Sequence, residues 1–180
     1  MKPFRALTAQ IPTTTTSPLV VVDLGYSAHR RSCGLAWTGD QQPLELEFGS
    51  AITWTEEVLR SFKWEAFLVI EAVLSTFHRE NGNPDVRGEF ELGRGWYYGA
   101  GVLSFAAALR FLGCLAQRCS GAPQLPLAEA FLSNKDTPTG HAEDAVQIRD
   151  NFWQTQPARL QQGVEAASAL VEGVPSVRVF

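Results

Sequence analysis

Leu19-Val20-Val21-Val22-Asp23 is the stretch that decides the fold. An unbroken apolar run rich in β-branched residues reads as a central strand buried on both faces, the kind that α/β sheets contain. It stops at a carboxylate, and Gly25 just beyond permits a tight turn. A second run of the same kind, Ala66-Phe67-Leu68-Val69-Ile70, also stops at an acid, Glu71.

Working outward, Arg31 to Trp37 reads as a second strand and Gly39-Asp40-Gln41-Gln42 as the hairpin connection out of it. Leu44, Leu46 and Phe48 alternate with Glu45 and Glu47, which predicts a half-exposed third strand. Thr53 or Thr55 is placed to cap a helix running to about Lys63, with Glu56 and Glu57 in its first turn. Residues 74–95 are polar and too long for an ordinary connection, as functional loops tend to be. From about Trp96 to Cys119 the chain is apolar nearly all round, with Val102, Phe105, Leu109 and Leu112 on one helical face. That predicts a helix packed on more than one side. Leu125 to Leu132 reads as a fifth strand, His141 opens a helix carrying Asp144, and Pro157 suits the first turn of a last helix to about Glu172.

The resulting order is three strands, helix, strand, helix, strand, helix. It predicts an α/β fold with a mixed five-stranded sheet: a three-strand antiparallel meander followed by two parallel strands, with helices flanking it. Residues 1–17, ending in a run of threonines before Pro18, are expected to form a flexible N-terminal arm, and 18–175 a single domain.

Composition narrows the function classes. At 180 residues, 45% hydrophobic and 19% charged, the chain has the makings of one ordinary core. No apolar run reaches the roughly 20 residues that cross a bilayer, and the N-terminus makes a poor signal peptide, so a cytoplasmic protein without a membrane partner is expected. Cys33, Cys114 and Cys119 are odd in number and match no zinc spacing, which suits reduced thiols. A net charge of −4 provides no global field for indiscriminate nucleic-acid binding.

Sites in open α/β sheets form beyond the carboxyl ends of the strands. Asp23 and Glu71 end two strands expected to be neighbours, and Asp144 lies on the helix expected to cross the same end. Three carboxylates facing one another repel unless a cation joins them, and hard oxygen donors suit Mg²⁺ or Mn²⁺. Glu143 is rotated about 100° from Asp144 and suits a first-turn acid complementing the helix dipole.

The pattern Val21-Val22-Asp23-Leu24-Gly25, Val69-Ile70-Glu71-Ala72 and His141-Ala142-Glu143-Asp144-Ala145 resembles the active-site framework of RuvC-type Holliday-junction resolvases and, more broadly, the ribonuclease-H-like superfamily. The resemblance covers residues 19 to about 153. It implies a ribonuclease-H-like fold and a hydrolase of nuclease type, in which Asp23, Glu71, His141 and Asp144 hold two divalent ions that hydrolyse a phosphodiester. His141 stands where some members carry Asp. Nucleic acid (branched DNA, DNA or RNA) is the implied partner, and a homodimer the implied assembly. This chain departs from the resolvases in its acidity and in the segment after Glu71. There Arg79, Arg87 and Arg94, with His78, Trp96, Tyr97 and Tyr98 nearby, are candidate phosphate and base contacts. Two other readings remain: a non-catalytic interaction module on the same fold, and a nucleotide- or phosphate-binding protein of actin-like ATPase type, suggested by Asp-x-Gly-x-Ser at 23–27.

Overall fold

The computed structural model describes residues 17–26, 31–74, 76–86, 93–122, 125–132, 139–155 and 176–179. The strands are β1 (Leu19–Leu24), β2 (Cys33–Trp37), β3 (Leu44–Leu46), β4 (Phe67–Glu71), β5 (Phe77–His78), β6 (Pro84–Asp85), β7 (Leu127–Phe131) and β8 (Ser176–Val179). The helices are α1 (Phe48–Ser61), α2 (Gly99–Arg118) and α3 (His141–Thr155). One mixed sheet runs β3-β2-β1-β4-β7-β8, and β5 and β6 form a small separate ribbon. The expected meander is present, since β2 pairs antiparallel with both β1 and β3. So are the parallel neighbours, β1 with β4 and β4 with β7. The expected arm and the helix expected after Pro157 lie outside the described residues, save Ser17 at the end of the arm.

Alternation along the central strands divides the core in two. Val20, Val22, Leu68 and Ile70 face α1 and α2 and pack with Leu59, Phe111 and Leu115. Leu19, Val21, Phe67 and Val69 face α3 and pack with Ile148 and Phe152. Each strand is thus buried on both sides, as its unbroken apolar run requires.

Several boundaries differ from the sequence reading, for local physical reasons. Arg31 has φ +61°, a left-handed turn geometry, so β2 starts only at Cys33. The third strand ends at Leu46, because Phe48 already begins α1 and sets its ring edge-on to Phe111, centroids 6.0 Å apart. Helix α1 therefore starts five residues before Thr53, from a Glu47 cap that makes no side-chain bond. Thr53 and Thr55 lie inside the helix, and Glu56 and Glu57 lie past its first turn. The C-terminal strand β8, unforeseen from the sequence, adds antiparallel to β7 and covers that edge of the sheet.

The largest correction concerns α2. It buries a narrow stripe of Ala108, Phe111 and Leu115, while Val102, Leu103 and Leu109 are exposed. It is not packed on several sides, and the expected face through Val102 and Leu109 is turned outward. The helix is also long and apolar enough to cross a membrane by length and composition, with 20 residues and an 18-residue window of mean hydropathy 1.7. Arg110 interrupts its apolar course, so it is not the unbroken apolar run of about 20 residues whose absence the sequence predicts. The same helix lies in the connection from β4 to β7, two strands paired side by side, after the β5–β6 ribbon.

The three cysteines are free thiols, and Cys33 is completely buried. Burial pushes the Cys33 thiol up to about 11, with the charge of Asp23 adding a smaller push in the same direction. Above an ordinary thiol value of about 8.5 the unfolded chain loses this proton while the folded chain keeps it. Stability should therefore fall as pH rises through that window, by about 2–3 kcal/mol over two pH units. Urea midpoints recorded across it should decline more steeply for the native chain than for Cys33→Ala.

Candidate functional site

Parallel pairing sets Asp23 directly beside Glu71 in register at the carboxyl ends of β1 and β4. Asp23 follows Leu19 and Val21 in the alternation, so it faces α3, and Glu71 follows Phe67 and Val69 to the same side. The first turn of α3 crosses this end and delivers Asp144. Oxygens of Asp23, Glu71 and Asp144 all lie within 4.8 Å of one another. Asp23 is 6% exposed and Asp144 4%, and Glu71 is half-buried.

Close approach of α3 depends on Gly34. A Cβ on that residue of β2 would lie 1.9 Å from the carbonyl oxygen of His141 and 2.6 Å from the amide of Ala142. The helix start therefore rests backbone against backbone on the sheet. Further along, Arg149 of α3 donates to the Asp40 carboxylate, which also accepts from the Trp37 amide at 2.9 Å. The Asp40 side chain is 1% exposed, so this ion pair straps α3 to the β2–β3 hairpin from inside.

Each carboxylate is held. The Thr139 hydroxyl donates to Asp144 Oδ1. The amide of Leu132, just past β7, donates to Glu71 Oε1 at 3.2 Å. His141 Nδ1 donates to Asp23 Oδ2 at 2.7 Å, since an ionised carboxylate can only accept. The structure thus brings His141 to Asp23, from which it fixes that side chain's orientation, while the mutually close donor atoms belong to the three acids. Glu143 accepts from the Gly140 amide at 3.1 Å and caps its own helix, as the sequence suggests.

The sequence places a fourth acid, Glu129, at a strand end in an echo of Glu71 and assigns it no role, whereas it lies inside a strand. Glu129, in the middle of β7, is completely buried. It pairs in register with Ile70, so it faces the opposite side of the sheet from Glu71. Its Oε1 accepts from the Leu74 amide at 3.0 Å and so fixes the chain leaving Glu71. The signal was present: Glu129 interrupts the run Leu127 to Phe131 much as Glu71 ends Phe67 to Ile70.

The candidate substrate contacts are placed less closely. Arg79 extends from the β5–β6 ribbon and pairs with Asp85 at 3.1 Å. That hydrogen bond holds the Asp85 carboxyl below its usual range and raises Arg79. Arg94 is exposed in the turn before α2, and Arg87 lies outside the described residues.

All-oxygen donors suit a hard divalent cation: Mg²⁺ binds oxygen at about 2.0–2.1 Å in octahedral geometry, so neighbouring ligands stand about 3 Å apart and the three acids would draw closer together on binding it. Buried acids of like charge also need neutralising, which a cation provides. Family models, curated proteins and solved structures provide no match to this chain.

Proposed function

We propose that this chain is a ribonuclease-H-like, cytoplasmic phosphodiesterase that cleaves a nucleic-acid backbone using divalent metal. One observation carries the reading: Asp23, Glu71 and Asp144, 121 residues apart from first to last, meet within 4.8 Å at the carboxyl end of the sheet. Asp23, Glu71 and Asp144 would hold Mg²⁺ or Mn²⁺, with His141 either steadying Asp23 or joining the set. Bound there, the metal supplies charge to activate water and to stabilise the departing oxygen. The protein's own part is to keep the acids on rigid strands and a docked helix, so that they need not reorganise during reaction.

The interaction-module reading keeps the fold without the metal, and the two part on a simple measurement. Metal that binds only the folded state at 100 times its Kd adds about 2.7 kcal/mol, or about 5–10 °C for a chain of this size. Mn²⁺ should raise the thermal midpoint by that amount and support cleavage of at least one of labelled single-stranded, duplex or branched substrates. An unmoved midpoint together with intact substrates would select the module. The nucleotide-clamp reading leans on the loop at 23–27. There a Cβ on Gly25 would fall 1.9 Å from the Ser32 carbonyl oxygen, so close packing accounts for that glycine without a phosphate.

A further inference from the structure

Two acids on neighbouring strands open the same short sequence. Glu71-Ala72-Val73-Leu74 and Glu129-Ala130-Phe131-Leu132 share the pattern Glu-Ala-x-Leu. Strands β4 and β7 are parallel, and their ladder ends at the pair Glu71–Ala130. Around that end the two segments exchange hydrogen bonds. The Leu132 amide donates to Glu71 Oε1 at 3.2 Å, and the Leu74 amide donates to Glu129 Oε1 at 3.0 Å. Each glutamate thus accepts from the leucine three residues past the other.

The two glutamates stand on opposite faces of the sheet. Glu71 points to the α3 side with the other carboxylates, whereas Glu129 shares register, and so face, with Ile70 on the side of α1 and α2. A strand end tied on one face can still roll about its axis; tied on both, it is fixed. Ser104 of α2 adds a further tie, accepting from the Val73 amide at 3.2 Å. Glu129 is also costly where it stands, completely buried in β7 on the face that carries Leu68, Ile70 and Phe111. An apolar residue there would avoid the desolvation of a carboxylate, and exceptions of that kind gather at functional sites. Among the three clustered acids Glu71 has the longest side chain and the greatest exposure, so its placement has most to lose without support.

Resting on the metal-site reading, we propose that Glu129 is a positioning residue. Through the reciprocal Glu-Ala-x-Leu latch it fixes the end of β4, so that Glu71 meets Asp23 and Asp144 already set to take a divalent cation. It acts through Glu71 and reaches neither metal nor substrate. A carboxylate locked beforehand loses less freedom on binding, so the latch raises metal affinity without adding a donor.

The test uses the full chain with Glu129→Gln, which keeps the size and an acceptor, and Glu129→Leu, which has none. Mn²⁺ affinity is read by calorimetry, and amide exchange at Leu74 and Leu132 by NMR. Both amides should be protected in the native chain. Glu129→Leu should weaken Mn²⁺ binding about tenfold and speed exchange at Leu132 as well, although the acceptor there, Glu71, is unchanged. Glu129→Gln should keep both properties. Fast exchange of either amide in the native chain would overturn the latch, whether or not Glu129→Leu folds. Native Mn²⁺ affinity in Glu129→Leu, or a Gln variant as weak as the Leu one, would overturn the positioning role and leave the metal site standing. A native chain that binds no Mn²⁺ while both amides stay protected would end the metal reading and the positioning role with it.

Discussion

Asp23→Asn is expected to abolish metal-dependent cleavage while raising the thermal midpoint measured in EDTA. The two effects have one origin. Asp23 lies in register with Glu71 and within 4.8 Å of Asp144, so the metal-free site holds like charges against one another. Asn keeps the size and can still accept from His141, but it removes one charge and a strong metal donor. Losing several kcal/mol of transition-state stabilisation, at about 1.4 kcal/mol per decade, means a rate loss on the order of a thousandfold. The Mn²⁺-dependent rise in midpoint should vanish with it. A lower midpoint in EDTA, with cleavage retained, would instead make Asp23 an ordinary turn carboxylate and end the proposed chemistry.

Gly34→Ala is the second large effect, and it acts through the fold. The new Cβ would meet the His141 carbonyl carbon at 2.2 Å, and backbone cannot swing aside as a flexible side chain can. Overpacking usually costs 1–3 kcal/mol. With Arg149 and Phe152 holding the rest of α3 in place, the upper end of that range is expected, a midpoint lowered by about 6–12 °C. The helix start should lift from the sheet, so the response to Mn²⁺ should weaken too, although no acid has been changed. Gly113→Ala on the exposed side of α2 has nothing within 4 Å of its Cβ and should stabilise by about 1 kcal/mol. Thermal melts of the two variants, with and without Mn²⁺, separate the packing effect from helix propensity. Equal midpoints in Gly34→Ala and the native chain would refute the docking of α3.

The parts of this architecture that could be read in the sequence are those set by local pattern and chain connectivity. The apolar runs ending at Asp23 and Glu71 specified central strands, and the helices α1 and α2 between successive parallel strands fixed their order. From that order the meeting of Asp23, Glu71 and Asp144 follows. What escaped reading depends on partners distant in sequence. Phe48 continues the strand alternation yet belongs to α1, because its ring finds Phe111, 63 residues on. The face that α2 buries is chosen by the sheet beneath it, and its own composition, apolar on all sides, could not indicate which. Strand β8 has four residues and no period long enough to read, and its place comes from the open edge of β7. The link from His141 to Asp23 spans 118 residues and rests on how closely Gly34 lets a helix descend.

The docking of α3 also sets when the site can exist during synthesis. The two faces of the sheet are completed by different parts of the chain: α1 and α2 precede β7, whereas α3 follows it. A growing chain can therefore bury one face while Leu19, Val21, Phe67 and Val69 still await cover. Contacts of such long sequence separation form slowly, because loop closure must precede them. Until His141 and Asp144 emerge, Asp23 and Glu71 stand side by side without their third carboxylate. The acidic cluster is thus completed only when α3, the last helix among the described residues, docks on the sheet.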